Sequence, residues 1–193
     1  MNQTIKDTIE LHKKLIAEFE AAGVETVIQT ASIITDCFRR GGCVYLCGNG
    51  GSAADCQHIA GELIGRFRRQ RRALPAVALS TDTSVITCIG NDYSFEQIFS
   101  RQVEALVEAD DILWAFSTSG SSPNIVAAAQ LAKEKGAKII AFTGRPGSTL
   151  EQIADLCLCV DTQWTSSVQE VHQLAYHIIC NLIEQNFCNE SDI

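Results

Sequence analysis

Five groups of residues have the types and spacing that chemistry requires. His58 and Glu62 stand four apart in a stretch of helical periodicity, so an imidazole and a carboxylate share one face. Such a pair can bind one metal ion or couple a base to its partner. An exposed His beside a carboxylate is the plainer reading. Gln169, His172 and His177 come late in the chain, and His177 lies among Leu174, Ile178, Ile179, Leu182 and Ile183. A His on such a face is either a satisfied core residue or a ligand. The segment Ser117-Thr118-Ser119-Gly120-Ser121-Ser122-Pro123-Asn124 carries five hydroxyls in eight residues. Hydroxyls beside the free amides of a helix start suit a phosphate monoester; a capping loop with spare Ser is the alternative. Without Lys or Arg, the segment would hold an anion through neutral donors and the helix field. Cys47-Gly48-Asn49-Gly50-Gly51-Ser52 lets the backbone turn tightly and approach a ligand, with Ser52 placed to cap a helix. It matches neither the dinucleotide pattern nor the P-loop, and a plain tight turn explains it too. Gly90-Asn91-Asp92-Tyr93 can meet sugar hydroxyls or form an Asx turn.

These groups need a frame. Ile5, Ile9, Leu11, Leu15, Ile16 and Phe19 recur at helical spacing until Gly23, and Val27, Ile28, Ala31, Ile34 and Phe38 continue on a second helix that stops at Gly41-Gly42. Short apolar runs then follow at Cys43–Cys47, Ala76–Leu79, Ile112–Phe116, Ile139–Phe142 and Leu156–Val160. Helical stretches lie near Ser52–Gly65, Phe95–Val107, Asn124–Lys135 and Thr149–Ala154, and a long last helix covers Ser166–Phe187. Runs apolar on both faces, alternating with helices, predict a parallel sheet covered on both sides. The expected fold is α/β, a three-layer sandwich with a five-stranded parallel sheet flanked by helices. One domain of 1–193 is expected, with 1–40 as a helical N-terminal extension and 41–188 as the core. In such sheets ligands bind beyond the carboxyl ends of the strands, where the Gly-rich and Ser-rich loops fall.

Composition narrows the function classes. The 193 residues carry 15 Lys and Arg against 23 Asp and Glu, a net charge of −8, which argues against a general nucleic-acid binder. The run Arg66-Phe67-Arg68-Arg69-Gln70-Arg71-Arg72 holds five Arg in seven residues. On an acidic chain it reads as a solvated surface segment or an anion-attracting mouth. No apolar run approaches the ~18 residues of a membrane span, and Met1–Lys14 has no apolar signal segment. The nine Cys are odd in number and scattered, and read as small buried hydrophobes in a reducing compartment. A cytoplasmic protein that does not engage membranes is expected. Cys157-x-Cys159 has no second pair at zinc-ribbon spacing.

Taken in order, Asn49-Gly50-Gly51-Ser52-Ala53-Ala54-Asp55, His58-x-x-x-Glu62, Gly90-Asn91-Asp92, Ser117-Thr118-Ser119-Gly120 and Gln169-Glu170 with His177 resemble the phosphoheptose isomerases of the sugar-isomerase (SIS) fold. The resemblance spans residues 20 to 187. It implies interconversion of sedoheptulose 7-phosphate and D-glycero-D-manno-heptose 7-phosphate, the first step toward activated heptose for lipopolysaccharide or other surface glycans. It implies a homotetramer with active sites at subunit interfaces. The phosphate would sit on Ser117, Thr118, Ser119 and Ser122. The sugar would meet Asn49, Gly50, Gly51, Ser52, Glu62, Asn91, Asp92 and Gln169. Glu62 and His177 would be the acid–base pair. His58, Glu62, Gln169 and His177 would hold one zinc ion per subunit.

Gln169 and His177 are eight residues apart, about 12 Å of rise and about 80° of rotation on a straight helix. One ion cannot easily bind both from one regular helix, so either subunits share the site or Gln169 precedes the helix. Where many relatives carry Ala-Arg-Ile-Gln-Glu, this chain has Ser166-Ser167-Val168-Gln169-Glu170. Two rival functions belong to the same fold: a non-catalytic protein that binds the replication initiator DnaA, and an isomerase of another sugar phosphate. Members of the former lack the acid and the His at the positions of Glu62 and His177.

Overall fold

The computed structural model describes residues 2–188; the extremes of the expected 1–193 span lie outside them. Five parallel strands form one sheet: β1 (Val44–Gly48), β2 (Ala76–Ala78), β3 (Ile112–Ser117), β4 (Lys138–Thr143) and β5 (Leu156–Cys159). Their order is β2-β1-β3-β4-β5, so the chain winds in opposite directions from β1 and from β3. That reversal lies between β1 and β3, where Cys47 pairs with Ala115 and Gly48 with Phe116. The loops leaving these two strands diverge there and open a crevice.

Alternation along the strands sends successive side chains into two separate cores. Val44, Leu46, Ile112, Trp114, Phe116 and Phe142 pack under α2 (Val24–Arg40), α3 (Gly51–Ile64) and α8 (Thr165–Gln185). Cys47, Leu113, Ala115, Ile139 and Ala141 pack under the helices of the opposite face. These are α4 (Thr83–Asp92), α5 (Ser100–Leu106), α6 (Pro123–Glu134) and α7 (Thr149–Ile153). Burial on both faces is why the strands read as unbroken apolar runs. The first helix, α1 (Gln3–Ala22), seats Leu11, Leu15 and Phe19 against Val160, Val168 and Val171, and leaves Ile5, Ile9 and Ile16 exposed.

The expected strands and the break at Gly23 agree with the structure to within a residue or two. One helical expectation needs correction. The stretch predicted as one helix over Phe95–Val107 is a 3₁₀ turn at Phe95–Gln97 followed by the separate α5. The residues ahead of it, whose sequence predicts no element, form α4, with the Asp82 carboxylate accepting the Val85 N–H at 3.0 Å. Gly90-Asn91-Asp92 is therefore the end of a helix and not an Asx turn. All nine Cys are free thiols, with Cys37, Cys47, Cys56 and Cys180 buried and Cys88 exposed. Burial pushes the Cys47 thiol up to about 12. Among the described residues no helix is long and apolar enough to cross a membrane.

Candidate active site

The Gly-rich loop turns from β1 into α3 in two residues. It can do so because a side chain at Gly48 would press its Cβ to 2.7 Å from the Ser52 backbone. Ser52 is buried in the first turn of α3. Across the crevice, β3 ends at Ser117, whose hydroxyl lies 3.0 Å from that of Ser122 and 3.3 Å from that of Ser119. Ser122 and Pro123 then start α6; the Ser122 side chain caps no amide, and the Ile125 N–H donates to Asn124 Oδ1 at 3.0 Å. Two amide side chains tie the loops together. The Asn49 Nδ2–H donates to Asn124 Oδ1 at 2.9 Å, and the Asn124 Nδ2–H returns to Asn49 Oδ1 at 2.8 Å. Asn124 was named above only as the end of the Ser-rich segment; its role became visible with its partner 75 residues away.

Between the loops lies a cleft of about 270 Å³, lined by Asn49 to Ser52 on one side and by Ser117, Thr118 and Ser122 on the other. Thr165 and Gln169 of α8 close it. The N-termini of α3, α6 and α8 thus all reach this cleft, each presenting the positive end of a helix dipole. Such an arrangement can hold an anion through neutral donors. A Cβ at Gly51 would stand 2.7 Å from the Gln169 side-chain amide, so a larger residue there would displace Gln169 from the wall.

A second group of residues lies farther along the same two helices. His58 Nε2 is 3.1 Å from Glu62 Oε1, one turn on along α3. The His177 ring of α8 comes within 4.9 Å of the His58 ring. The potential ligand atoms of His58, Glu62 and His177 all lie within 4.8 Å of one another. Two imidazoles and a carboxylate are a donor set that divalent zinc takes in open catalytic sites, and the residues fit such an ion. Burial, with His58 and Arg68 nearby, pulls the His177 pKa below its ordinary value, so its ring is neutral at neutral pH.

The loop after α3 braces this cluster. Phe67 stacks on His177, with rings 5.7 Å apart and 30° from parallel, and the Arg68 guanidinium lies over Phe67. The carboxylate of Glu184, 1% exposed, accepts the backbone N–H groups of Phe67, Arg68 and Arg69 at 2.7–2.9 Å. Arg71 is buried beside it, Nε 3.8 Å from Glu184, and donates to the backbone carbonyls of Glu62, Gly65 and Arg72. The Arg run is therefore not uniformly solvated: one of its members is an internal strut.

Other expected site residues fall differently from their expected roles. Gln169 lies within the unbroken α8, which removes the alternative that it precedes the helix, and it lines the Ser-rich cleft rather than joining His58, Glu62 and His177. Asn91 and Asp92 are exposed at the end of α4, bonded to each other at 2.8 Å, and neither lines that cleft. Asp92 borders a different, apolar cleft with Cys88, Tyr93 and Arg101. Ser119 reaches the cleft through Ser117. His172 is fully buried, and its Nε2–H donates to the Thr143 carbonyl at 3.0 Å.

Comparison with known proteins agrees with this geometry. The SIS domain family matches residues 9–144. The phosphoheptose isomerase of Roseiflexus sp. (strain RS-1) is 48% identical over 85% of this chain and 83% of its own. That of Geobacter sp. (strain M21) is 44% identical over 96% of both. Among solved structures, a phosphoheptose isomerase from Francisella tularensis superposes with a TM-score of 0.92 at 37% identity, covering 96% of this chain and all of that one. The enzyme from Neisseria gonorrhoeae gives 0.89 at 39% identity over 95% and 98%. The doubly wound parallel sheet and these relatives make the chain a SIS-fold sugar-phosphate isomerase. Within that class, the chain belongs to the phosphoheptose isomerase family.

Proposed function

We propose that this protein converts sedoheptulose 7-phosphate to D-glycero-D-manno-heptose 7-phosphate through an enediol, the first step of activated heptose biosynthesis. The observation that carries the reading is the convergence of His58, Glu62 and His177 on the two helices that also line the anion cleft. The phosphate is held by Ser117, Thr118, Ser119 and Ser122 in the field of the α3, α6 and α8 N-termini. Asn49, Gly50, Gly51, Ser52 and Gln169 meet the sugar chain.

Isomerisation moves a proton from C1 to C2 of the ketose and another between the two oxygens. Glu62 takes the C1 proton as a base and, after exchange with solvent, delivers a proton to C2 as an acid. His177, neutral in its surroundings, relays the proton between O1 and O2. His58, Glu62 and His177 would hold a zinc ion, which when bound supplies Lewis-acid polarisation of the carbonyl.

Subunit sharing completes the site. The three-residue group lies about seven residues, or ~10 Å of helix, beyond Gly51. A homotetramer would let Gln169, Asn91 and Asp92 of a neighbouring subunit meet the group from outside. The exposed apolar stripe of α1, Ile5, Ile9 and Ile16, supports assembly. The nine free thiols are in keeping with the cytoplasm. The test follows the C1 and C2 protons by NMR in D₂O with sedoheptulose 7-phosphate, using the protein and Glu62→Gln. Aldose formed by the wild type alone, with deuterium at C2, supports the reading. No turnover by either protein, with metal supplied and assembly confirmed, refutes it.

A further inference from the structure

Behind His58 stands a group of side chains that the reaction above does not use. Tyr176 is fully buried, and its ring lies edge-on to both imidazoles, 5.6 Å from His58 and 4.7 Å from His177. Its hydroxyl oxygen is 3.1 Å from His58 Nδ1 and 3.4 Å from Asp55 Oδ1. The other Asp55 oxygen is buried and has no hydrogen-bond partner among the described residues.

Counting donors decides where the protons go. An ionised carboxylate only accepts, so the Tyr176 O–H donates to Asp55. The Tyr176 oxygen can then only accept toward His58, so Nδ1 of His58 carries the ring proton and Nε2 keeps its lone pair. That lone pair points at Glu62 Oε1, 3.1 Å away, a second acceptor. Two acceptors at that distance repel unless a cation or a proton stands between them.

We propose that Asp55 and Tyr176 are positioning residues that lock His58 as its Nδ1–H tautomer and so preset Nε2, with Glu62 and His177, to receive a divalent cation. Metal-bound imidazoles commonly give their second N–H to a carboxylate or carbonyl, which fixes tautomer and orientation. Here a tyrosine hydroxyl stands between the imidazole and the carboxylate. The inference rests on the metal reading above, but its first readout needs neither metal nor turnover.

The experiment uses protein with ¹⁵N-labelled His, metal-free at pH 8, and reads the ring nitrogens of His58 by NMR. Zinc affinity is then measured against a competing chelator. Wild type should show the Nδ1–H form. Tyr176→Phe keeps the ring and removes the hydroxyl; His58 should lose its single tautomer and zinc should bind about 10–100-fold more weakly. Asp55→Ala frees the tyrosine hydroxyl to donate to Nδ1, and should invert His58 to the Nε2–H form. Asp55→Asn keeps an acceptor oxygen and should restore the wild-type tautomer. A wild-type His58 in the Nε2–H form overturns the proposal, as does an unchanged tautomer in both Tyr176→Phe and Asp55→Ala. Correct tautomers with unchanged zinc affinity overturn its second half. Correct tautomers and metal affinities in a protein that turns over no heptose phosphate would sink the substrate assignment alone.

Discussion

Truncating Glu184 to Ala should be among the most damaging single changes outside the reacting groups. Its carboxylate accepts three backbone N–H groups, from Phe67, Arg68 and Arg69, and neighbours the buried Arg71 guanidinium. A hydrogen bond to a charged acceptor contributes about 1.5–3 kcal/mol, so three give an upper bound of ~4.5–9 kcal/mol. The loop is partly exposed and its amides can turn to water, which recovers much of that. What it cannot recover is Arg71, left charged and buried; breaking such a pair costs about 3–5 kcal/mol. The expected loss is therefore about 3–5 kcal/mol. Urea unfolding at fixed protein concentration measures it, with the midpoint falling while the slope is kept. Glu184→Gln retains one acceptor oxygen and should lose about 1–3 kcal/mol. A loss under ~1 kcal/mol for Glu184→Ala would show that the loop does not depend on this carboxylate, and the bracing of His177 through Phe67 would fall with it.

Gly51→Ala should push the Gln169 amide out of the cleft, since its Cβ would sit 2.7 Å from that group; steady-state kinetics should show a KM for sugar phosphate raised about tenfold, the equivalent of ~1.4 kcal/mol, and an unchanged KM would remove Gln169 from the binding wall. Asn124→Ala leaves Asn49 without its partner and should destabilise by about 1–3 kcal/mol; thermal melts that match wild type would contradict the clasp. His172 governs acid sensitivity. Burial lowers its pKa to about 4, so between pH ~6.5 and ~4 the unfolded chain binds a proton that the folded one refuses. Stability should fall with pH across that window by ~3 kcal/mol from this residue, and His172→Gln should flatten that slope; the same slope in both proteins would refute the assignment.

The parallel sheet was legible because strands buried on both faces leave little choice of residue, and the 44–48 and 112–117 runs consist almost wholly of apolar and small side chains. The Gly-rich and Ser-rich loops were legible as anion-binding candidates because glycine and hydroxyls are required where backbone meets ligand. The α4 helix was not, since Thr83, Val85, Ile86, Thr87 and Gly90 are poor helix formers and packing overrides their preference. Arg71 looked like its four neighbours in the run. What singles it out is Glu184, and a carboxylate that bonds amides 115–117 residues away leaves no local pattern. The His58–Glu62 spacing announced itself on one helix, whereas the place of His177 and the hydroxyl of Tyr176 depend on how α8 lies against α3. Tyr176 read as one more core aromatic because its ring does belong to the core.

The neutral anion cleft has a consequence for how the protein responds to its surroundings. Among the described residues, nothing lining it titrates in the physiological range: its side-chain donors are hydroxyls and amides, and the rest is backbone. The proposed grip on a phosphate would therefore be built into peptide geometry, with no group to lose its charge as the medium turns alkaline and no mobile ammonium for salt to screen. Between pH 6 and 9 affinity at that end should follow the ligand's own second ionisation near 6 and nothing in the protein. The ionisable side chains of the site stand at its other end, on His58, Glu62 and His177, leaving the cleft as a fixed anchor that the medium does not recharge.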